Sequence, residues 1–366
     1  MELPPLAALD AEADRLLEMA LSDETLDSRR AAVMVAQLRA AATVVRRLLG
    51  EPLGFAQEVE EIYDHRPAWT DEGLFVEAHH RLDEALPGRG SLAERVASFR
   101  KSVTVSADRL RPVVQLILQR LQKEARHRFP LPTDERVEVE FVIDQPWSAY
   151  NACLGRGRSR VEIGLDWPQF ATALADLVAH EAYPGHHTEH AIKEAEWIDG
   201  RAWDELRLVL LNSPLSVVSE GLATRALGIM IDRSAWLTWH AQEVFPAAGL
   251  SEIHPDGAWE FAVGQGVLMR CLGNAALLLL DQGRSRDEAA KYLTRYRLAD
   301  EPSAHRSIAF ILNPLVRGYI FNYWVGGDLI DPALQRSTNP VETFGRLLHD
   351  LMTPTSVRNL GADRTP

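Results

Sequence analysis

Residues 180–187 read His180-Glu181-Ala182-Tyr183-Pro184-Gly185-His186-His187, and His190 follows three residues later. This short segment holds four of the twelve histidines of the chain, and an apolar run of helical character, Phe170 to Ala179, leads into it. Imidazoles are common ligands of divalent metals, and a carboxylate beside them can move the proton of a nearby water. The segment therefore predicts a metal-binding helix.

The spacing of these histidines does not suit a straight helix. Two ligands on one helix are usually four residues apart, and Pro184 stands at that position after His180. On a straight helix His187 would lie about 10 Å further along the axis than His180, and His186 about 120° around it. Pro184 removes a helix hydrogen bond and Gly185 permits unusual backbone angles, so a kink there could return His186 or His187 to His180. Which of the two completes the pair stays open.

A further ligand is expected from another part of the chain. Glu220 is an acidic residue within an apolar helical run, Val217 to Ala223, where an unpaired charge would be costly. Metal binding would explain it, and the alternative is an ion pair with Arg225. His190 lies four residues after His186 and could also bind a metal, but its charged neighbours favour a surface histidine.

Composition restricts the classes of protein that this chain can belong to. The 366 residues are 46% hydrophobic and 25% charged, which is typical of a folded protein of one or two domains. The net charge of −13 and the lack of a basic face argue against a nucleic-acid partner. The two cysteines follow no metal spacing, and neither a signal peptide nor a membrane-spanning run is recognisable. We therefore expect a cytoplasmic protein with no membrane partner.

The order of elements predicts a mainly α fold with a small sheet. Residues 1–130 are almost wholly helical, and we expect them to pack on the core as helical hairpins that carry no chemistry. Residues 131–366 would form the metal-binding catalytic region, and the two parts can also be one continuous domain. Ser91 with Glu94 predicts a capping box, and a helix from Arg111 to His127 would hold Pro112 in its first turn.

Two segments of the second region alternate with period two, as strands do. They are Arg136–Ile143 and Ser159–Leu165, and we predict that they pair antiparallel next to the metal helix. Helical patterns resume after the histidine segment. The predicted helices are Ala202–Leu211, Val217–Ile231, Trp259–Leu280 and Arg286–Tyr296.

The segment His180–His187 resembles the H-E-x-x-P-G-H-H signature of the domain-of-unknown-function 885 family, whose members look like distant relatives of the gluzincin metallopeptidases. Glu220-Gly221 matches the family's second element, E-G-W, except that Leu222 stands where Trp is usual. Tyr323-Trp324-Val325-Gly326 resembles its Y-x-x-G element. The resemblance covers about Val137 to Ile330.

The resemblance implies a multi-helix, zincin-like architecture with a Zn²⁺ ion. It places His180, one or both of His186 and His187, and Glu220 around the metal. It also makes Glu181 the general base and Tyr323 a donor to the oxyanion. In gluzincins an edge strand beside the metal helix aligns an extended peptide. Val161–Leu165 would take that place, or it belongs to a small structural hairpin.

The expected function is that of a zinc-dependent hydrolase acting on a peptide or a small amide. Glu181 would take the proton of the attacking water, and Tyr323 or Arg317 would stabilise the oxyanion. Arg317 is also one candidate to bind a terminal carboxylate. Tyr319 and Tyr323 share a helix face, or they are packing residues with bonded hydroxyls.

Two other functions remain open at the level of sequence. One is a degenerate, non-catalytic member that binds a peptide or protein. The other is a non-haem metal enzyme that acts on a small molecule, since two histidines and a carboxylate also suit iron. The sequence predicts no particular substrate, cleavage mode or oligomeric state.

Overall fold

Residues 4–145 and 147–360 are described by a computed structural model, and helices dominate them. The expectation of a mainly α fold is confirmed. The N-terminal part consists of α1 (Leu6–Ser22), α2 (Ser28–Leu48), α3 (Phe55–Tyr63), α4 (Glu72–Ala85), α5 (Leu92–Ser102) and α6 (Ala107–Arg128).

Local sequence explains where these helices begin. The predicted capping box is present at α5, where the Ser91 hydroxyl accepts from the backbone N–H of Glu94 and the Glu94 carboxylate accepts from that of Ser91. The start predicted for α6 was wrong. The helix begins at Ala107, so Pro112 lies inside it rather than in its first turn. The missing N–H of Pro112 costs α6 one backbone hydrogen bond near its N-terminal end.

The sheet has three strands, and its predicted antiparallel pairing was wrong. The strands are β1 (Arg136–Val142), β2 (Ala149–Gly155) and β3 (Arg158–Gly164), in the order β1-β3-β2. β1 and β3 are parallel, and β2 is antiparallel to β3. Arg156 and Gly157 both have positive φ, of 58° and 61°, as in the tight turns that close two-residue hairpins. The hairpin partner of β3 is therefore β2, and β1 pairs on the other side of β3.

The middle of the chain contains the histidine segment and the helix of Glu220. Its elements are α7 (Leu174–Glu181), α8 (His186–Lys193), a π-helical turn at Glu194–Asp199, a 3-10 turn at Asp204–Arg207 and α9 (Pro214–Met230). The helix predicted at Ala202–Leu211 was wrong, since only the 3-10 turn forms there. Residues 208–211 are consecutive apolar side chains with no helical period, and all four are exposed.

The C-terminal part is again helical. It contains α10 (Arg233–Trp239), α11 (Phe245–Ala248), α12 (Pro255–Leu268), α13 (Cys271–Leu280), α14 (Arg286–Tyr296), α15 (Glu301–Ile311), α16 (Asn322–Arg336), α17 (Pro340–His349) and α18 (Pro354–Asn359). The predicted helix Arg286–Tyr296 is α14. Trp259–Leu280 falls in α12 and α13, and Val217–Ile231 lies over α9.

One main hydrophobic core includes side chains from both predicted regions. Leu110 and Ile117 of α6 belong to the same buried cluster as Val161 of β3, Val217 of α9 and Phe344 of α17. The boundary near residue 130 stays a prediction, and the shared core couples the packing of the two parts.

One helical stretch meets the length and composition expected of a membrane span. It is Pro255–Leu280, formed by α12 and α13, and half of its most apolar window is buried inside the fold. The bent pair Pro214–Met230 and Arg233–Ala248 would be another if it counted as one span. Core helices of soluble proteins pass the same test, so this feature assigns no location.

Candidate metal centre

The histidine segment is broken at its centre, as the sequence suggested. α7 ends at Glu181 and α8 begins at His186, and the Tyr183–Pro184 peptide between them is cis. A Cβ at Gly185 would collide with the backbone carbonyl oxygens of Ala179 and His180, so only glycine fits there. The break places the rings of His180 and His186 with their centroids 4.7 Å apart.

Glu220 reaches the same point from α9. Its Oε2 lies 3.4 Å from His180 Nε2, and its Oε1 lies 3.5 Å from His186 Nε2. One ligand atom from each of these three residues lies within 4.8 Å of the others. The structure therefore brings His180, His186 and Glu220 together, although 40 residues separate His180 from Glu220 in the sequence.

The ion pair considered as an alternative for Glu220 does not form. Arg225 instead donates two hydrogen bonds to Asp331, at 2.7 and 2.8 Å. Tyr319 is a closer neighbour, because its hydroxyl donates to Glu220 Oε1 at 2.5 Å. Glu220 thus contacts two imidazoles and a phenol, and its buried Oε2 accepts no hydrogen bond from the part of the chain that the structure describes.

His187 lies outside this cluster. Its Nδ1 is 2.9 Å from Ser159 Oγ and its Nε2 is 2.7 Å from Glu135 Oε2, and the ring is 1% exposed. Glu135 also accepts from the Tyr183 hydroxyl and from Arg126. Both ring nitrogens of His187 are engaged, so the geometry selects His186 as the partner of His180. His187 and Tyr183 instead anchor the break in the helix to Glu135.

A chain of hydrogen bonds orients His186. Its Nδ1 is 3.1 Å from the Ser219 hydroxyl, which donates to Glu189, and Glu189 also pairs with Lys193. Because the Ser219 hydroxyl donates its own hydrogen bond to Glu189, it accepts one from the Nδ1–H of His186. Nε2 of His186 then faces Glu220, and it offers its lone pair to a metal once the imidazole has lost its proton. Metal-binding histidines are commonly fixed by such a second hydrogen bond.

Glu181 lies beside the cluster and is almost fully buried, with 9% exposure. Its backbone carbonyl accepts from the Asn151 side chain of β2 at 2.6 Å. Burial raises the pKa of the Glu181 carboxyl, and the charge of Glu220 acts in the same direction, while His180 and His186 oppose both. A carboxyl with a raised pKa at this place suits proton transfer.

The electrostatics of the cluster depend on the pairing of imidazoles with a carboxylate. Burial would raise the pKa of Glu220, but His180 and His186 hold it far below its ordinary range. Burial would likewise lower the pKa of His186, but the contact with Glu220 and the surrounding carboxylates raise it to about 9. Two groups that stabilise each other's charge in this way can both bind a cation once the imidazole has lost its proton.

His190 was expected at the surface, and this was wrong. It is half-buried, and its buried Nδ1 has no hydrogen-bond partner within the described ranges 4–145 and 147–360. Burial lowers its pKa to about 4. Its ring stacks on that of His186 at 6.0 Å, and it forms a second potential ligand group with His186 and Glu189, apart from His180 and Glu220.

The two predicted oxyanion donors have different surroundings. Tyr323 lines the same cavity as the metal cluster, and its ring lies 5.7 Å from that of Tyr319. Arg317 lies against Glu58, which accepts from two of its guanidinium nitrogens and also pairs with Arg47. Arg317 is not among the residues that line the cavity.

The cluster opens into a cavity of about 2490 Å³. β3 is the central strand of the sheet, so the expected edge strand at Val161–Leu165 was wrong. β2 is the edge strand that lines the cavity, with Tyr150, Asn151 and Leu154 on its wall. The exposed apolar residues 208–211 form another part of that wall.

The helix of Glu220 is fixed by an unusually close helix crossing. A Cβ at Gly221 of α9 would collide with the backbone of Gly326 of α16, and one at Gly326 would collide with the carbonyl oxygen of Val217. Gly221, which follows Glu220, therefore packs directly against Gly326, which lies three residues after Tyr323. Their contact places Glu220 and Tyr323 at the same cavity.

Several residues of the site were missed by reasoning from sequence. They are Glu135, Asn151, Glu189 and Ser219. Only Glu189 had a local signal, since it lies three residues after His186 and four before Lys193 on one helix. The others come from other elements of the fold.

No protein-family model and no curated protein matches this chain. Two solved structures share its fold. A candidate lipoprotein from Colwellia psychrerythraea has a TM-score of 0.60 at 14% identity, over 98% of this chain and 69% of that chain. A candidate lipoprotein of unknown function from Shewanella oneidensis has a TM-score of 0.55 at 12% identity, over 99% and 74%. At these identities the likeness concerns the fold alone.

Proposed function

We propose that this protein is a zinc-dependent hydrolase of peptide or amide bonds. The observation that carries the proposal is the convergence of His180, His186 and Glu220 at a large cavity, with Glu181 beside them. Two ligands of a tetrahedral zinc ion, each at about 2.1 Å from it, are about 3.4 Å apart. One oxygen of the Glu220 carboxylate lies at this spacing from each imidazole, with Oε2 3.4 Å from His180 Nε2 and Oε1 3.5 Å from His186 Nε2.

The donor set also fits zinc. Two imidazole nitrogens and a carboxylate oxygen are a common ligand set in catalytic sites that keep one position open. None of residues 4–145 and 147–360 donates a hydrogen bond to the buried Glu220 Oε2, and a bound cation would supply the missing partner. The Nε2 of His187 is hydrogen-bonded to Glu135, and His190 is not part of the ligand group of His180 and Glu220. Neither histidine therefore fills the fourth coordination position of the metal. An open position favours an enzyme over a structural metal site.

In the proposed hydrolysis, the zinc ion and the side chains of the protein would have separate roles. Bound zinc would supply a Lewis acid that polarises the scissile carbonyl and makes the attacking water more acidic. Glu181 would accept the proton of that water and return it to the leaving amine. Its raised pKa brings it nearer to neutral pH, where one group can perform both transfers. This role also favours hydrolysis over the oxygen chemistry of a non-haem iron site.

Tyr323 is our candidate donor to the oxyanion. Its hydroxyl has no hydrogen-bond partner among the described residues, whereas that of Tyr319 is used on Glu220. Burial raises the pKa of Tyr323 above its ordinary value, so the phenol keeps its proton and can donate a hydrogen bond to the oxyanion. Arg317 pairs with Glu58 and does not line the cavity, and we give it no part in the reaction.

The position of β2 at the edge of the sheet favours a peptide as the substrate. β2 pairs only with β3 among residues 4–145 and 147–360, and it runs along the cavity beside Glu181. An extended peptide can add to such an edge through backbone hydrogen bonds. The resemblance to the domain-of-unknown-function 885 family agrees with this function and stays a prediction, as does the cytoplasmic location.

The test combines metal analysis with hydrolysis of a peptide library. We expect one zinc per chain, and we expect Glu181→Gln to keep the metal while its activity falls by about a hundredfold or more. Glu138→Gln is the matched control, since Glu138 is an exposed carboxylate on β1. A purified chain that neither holds nor takes up zinc would refute the proposal, and so would full activity in Glu181→Gln.

A further inference from the structure

Two arginines of the cavity wall come from distant parts of the chain. Arg100 lies in α5, and Arg297 directly follows α14. Arg100 donates to the Leu298 carbonyl at 3.0 Å and to Gln265 Oε1 at 2.5 Å. Arg297 donates to the Ser307 hydroxyl at 2.8 Å and contacts the sulfur of Met269 at 3.5 Å. All of these partners are uncharged.

Neither arginine has a carboxylate within 4.0 Å among the residues that the structure describes. The charge of Asp300 acts on Arg100, but its carboxylate caps α15 by accepting from the Ser303 N–H. Burial lowers the pKa of Arg297 to about 10, and the charge of Arg100 acts in the same direction. The fold thus keeps two cations at one partly buried site, and no carboxylate of the described residues forms an ion pair with either of them.

Such an arrangement is costly unless something else supplies the negative charge. Two arginines without a paired carboxylate are also unusual in a chain of net charge −13, because its acidic residues outnumber its basic ones. Arg47, Arg225 and Arg317, for example, pair with Glu58 or Asp331. Next to Arg100, the amide nitrogen of Gln265 is buried and has no acceptor among the residues with described positions. Three donor groups in one part of the cavity therefore lack an anionic acceptor.

We propose that Arg100 and Arg297 form a subsite that binds a carboxylate of the substrate. The proposal rests on the hydrolase function proposed above and adds the substrate class, peptides that carry a carboxylate which reaches this part of the cavity. Guanidinium groups hold carboxylates through paired, charge-assisted hydrogen bonds. The carboxylate can be the C-terminus of the peptide or the side chain of an Asp or Glu, and the chemistry of the subsite is the same for both.

Binding to the full-length Glu181→Gln chain tests the subsite without turnover. The probes are N-acetyl-trialanine with a free C-terminus and its C-terminal amide, measured by calorimetry. A second pair, amidated N-acetyl-Ala-Glu-Ala and N-acetyl-Ala-Gln-Ala, tests the side chain. We expect one acid probe to bind about tenfold or more tightly than its neutral partner, and the pair that shows this identifies the source of the carboxylate. Equal affinity within both pairs, or no binding by any probe, would overturn the proposal.

Arg297→Gln, made in the Glu181→Gln chain, should abolish the preference for the acid probe. Arg295→Gln is the matched control, because Arg295 is an exposed arginine two residues away that does not line the cavity. Since Arg297→Gln removes an uncompensated charge, we expect the melting temperature to stay constant or rise. A preference that survives Arg297→Gln and Arg100→Gln would contradict the assignment.

These results separate the subsite from the proposed function. A binding preference that depends on Arg297, in a chain that hydrolyses no peptide, would retain the subsite and reject the hydrolase. Peptide hydrolysis together with equal binding of the acid and neutral probes would retain the hydrolase and reject the subsite.

Discussion

His186 and His187 are adjacent in the sequence and have different surroundings. His186 faces Glu220 and the cavity, whereas His187 faces Glu135 and Ser159 in the interior. They are the first two residues of α8, and neighbours on a helix point about 100° apart. The sequence left both as possible ligands because the direction of α8 after the break depends on Glu135, which lies more than 40 residues earlier.

Removal of the Ser219 hydroxyl tests whether this group orients the ring of His186. Ser219→Ala removes the acceptor of His186 Nδ1, so the ring loses its fixed tautomer and direction. We expect zinc affinity to fall roughly 10- to 100-fold while the fold is retained. Titration against a zinc indicator measures this. Thr224→Ala removes a hydroxyl that is bonded to a backbone carbonyl of the same helix and should leave the affinity unchanged.

The raised pKa of His186 predicts how zinc binding depends on pH. Without metal, His186 is protonated below about pH 9, and zinc must displace that proton. Zinc affinity should therefore rise about tenfold per pH unit between pH 7 and 9 and level off above. The same shift stabilises the metal-free fold fully below pH 6.5, and this stability is lost as the pH rises through 9. A zinc affinity that does not change over this range would contradict the protonated state of His186.

At the scale of elements, the contact between α9 and α16 positions the site. Gly221 and Gly326 allow the two backbones to touch, which brings Glu220 of one helix and Tyr323 of the other to the same cavity. The geometry of the site therefore depends on two residues that have no side chain and take no part in the chemistry.

Gly326→Ala should disturb both stability and metal binding. The new methyl group would overlap the carbonyl oxygen of Val217 and separate the helices, at a cost of about 3 kcal/mol in the free energy of unfolding. Glu220 would move with α9, so zinc affinity should fall as well. Urea unfolding and zinc titration measure the two effects.

Gly228→Ala provides the matched control on α9. A Cβ at Gly228 would meet nothing within 4 Å, and alanine favours a helix over glycine by roughly 0.5–1 kcal/mol. This variant should be as stable as the wild type or more so, with unchanged zinc affinity. Equal effects of the two substitutions would show that the helix contact is not the cause.

The elements that sequence predicted well are those with a local signal. The capping box at Ser91 and the period of α14 lie within one helix each, and both are confirmed. The sheet was mispredicted because strand pairing depends on residues distant in sequence. The signal that would have corrected it was Gly155-Arg156-Gly157, whose glycines suit the positive φ angles of a tight hairpin turn.

At the scale of the whole molecule, the cavity draws its residues from nearly the full length of the chain. His180 and Glu181 could be recognised from their sequence because they lie in one segment. Arg100 and Arg297 could not, since nothing local distinguishes them from the many arginines that form ion pairs. That no described carboxylate pairs with either arginine becomes visible only in the folded chain.

The shared core predicts that the chain unfolds as one unit. Because buried residues on both sides of position 130 form one cluster, calorimetry should show a single transition. Zinc binds the folded state, so a free concentration of 100 times its Kd should add about 2.7 kcal/mol and raise the melting temperature. Two separate transitions, with only one that responds to zinc, would instead indicate independent domains.

The most direct test of the metal centre compares zinc content and stability in His186→Ala and His187→Ala. We expect His186→Ala to remain folded and to lose stoichiometric zinc, since it removes a ligand at the cavity. His187→Ala should lower the free energy of unfolding by about 2 kcal/mol, because it removes one of the groups that donate to the buried Glu135 carboxylate, and the folded protein should still bind one zinc. Retention of zinc in His186→Ala together with its loss from folded His187→Ala would contradict the account.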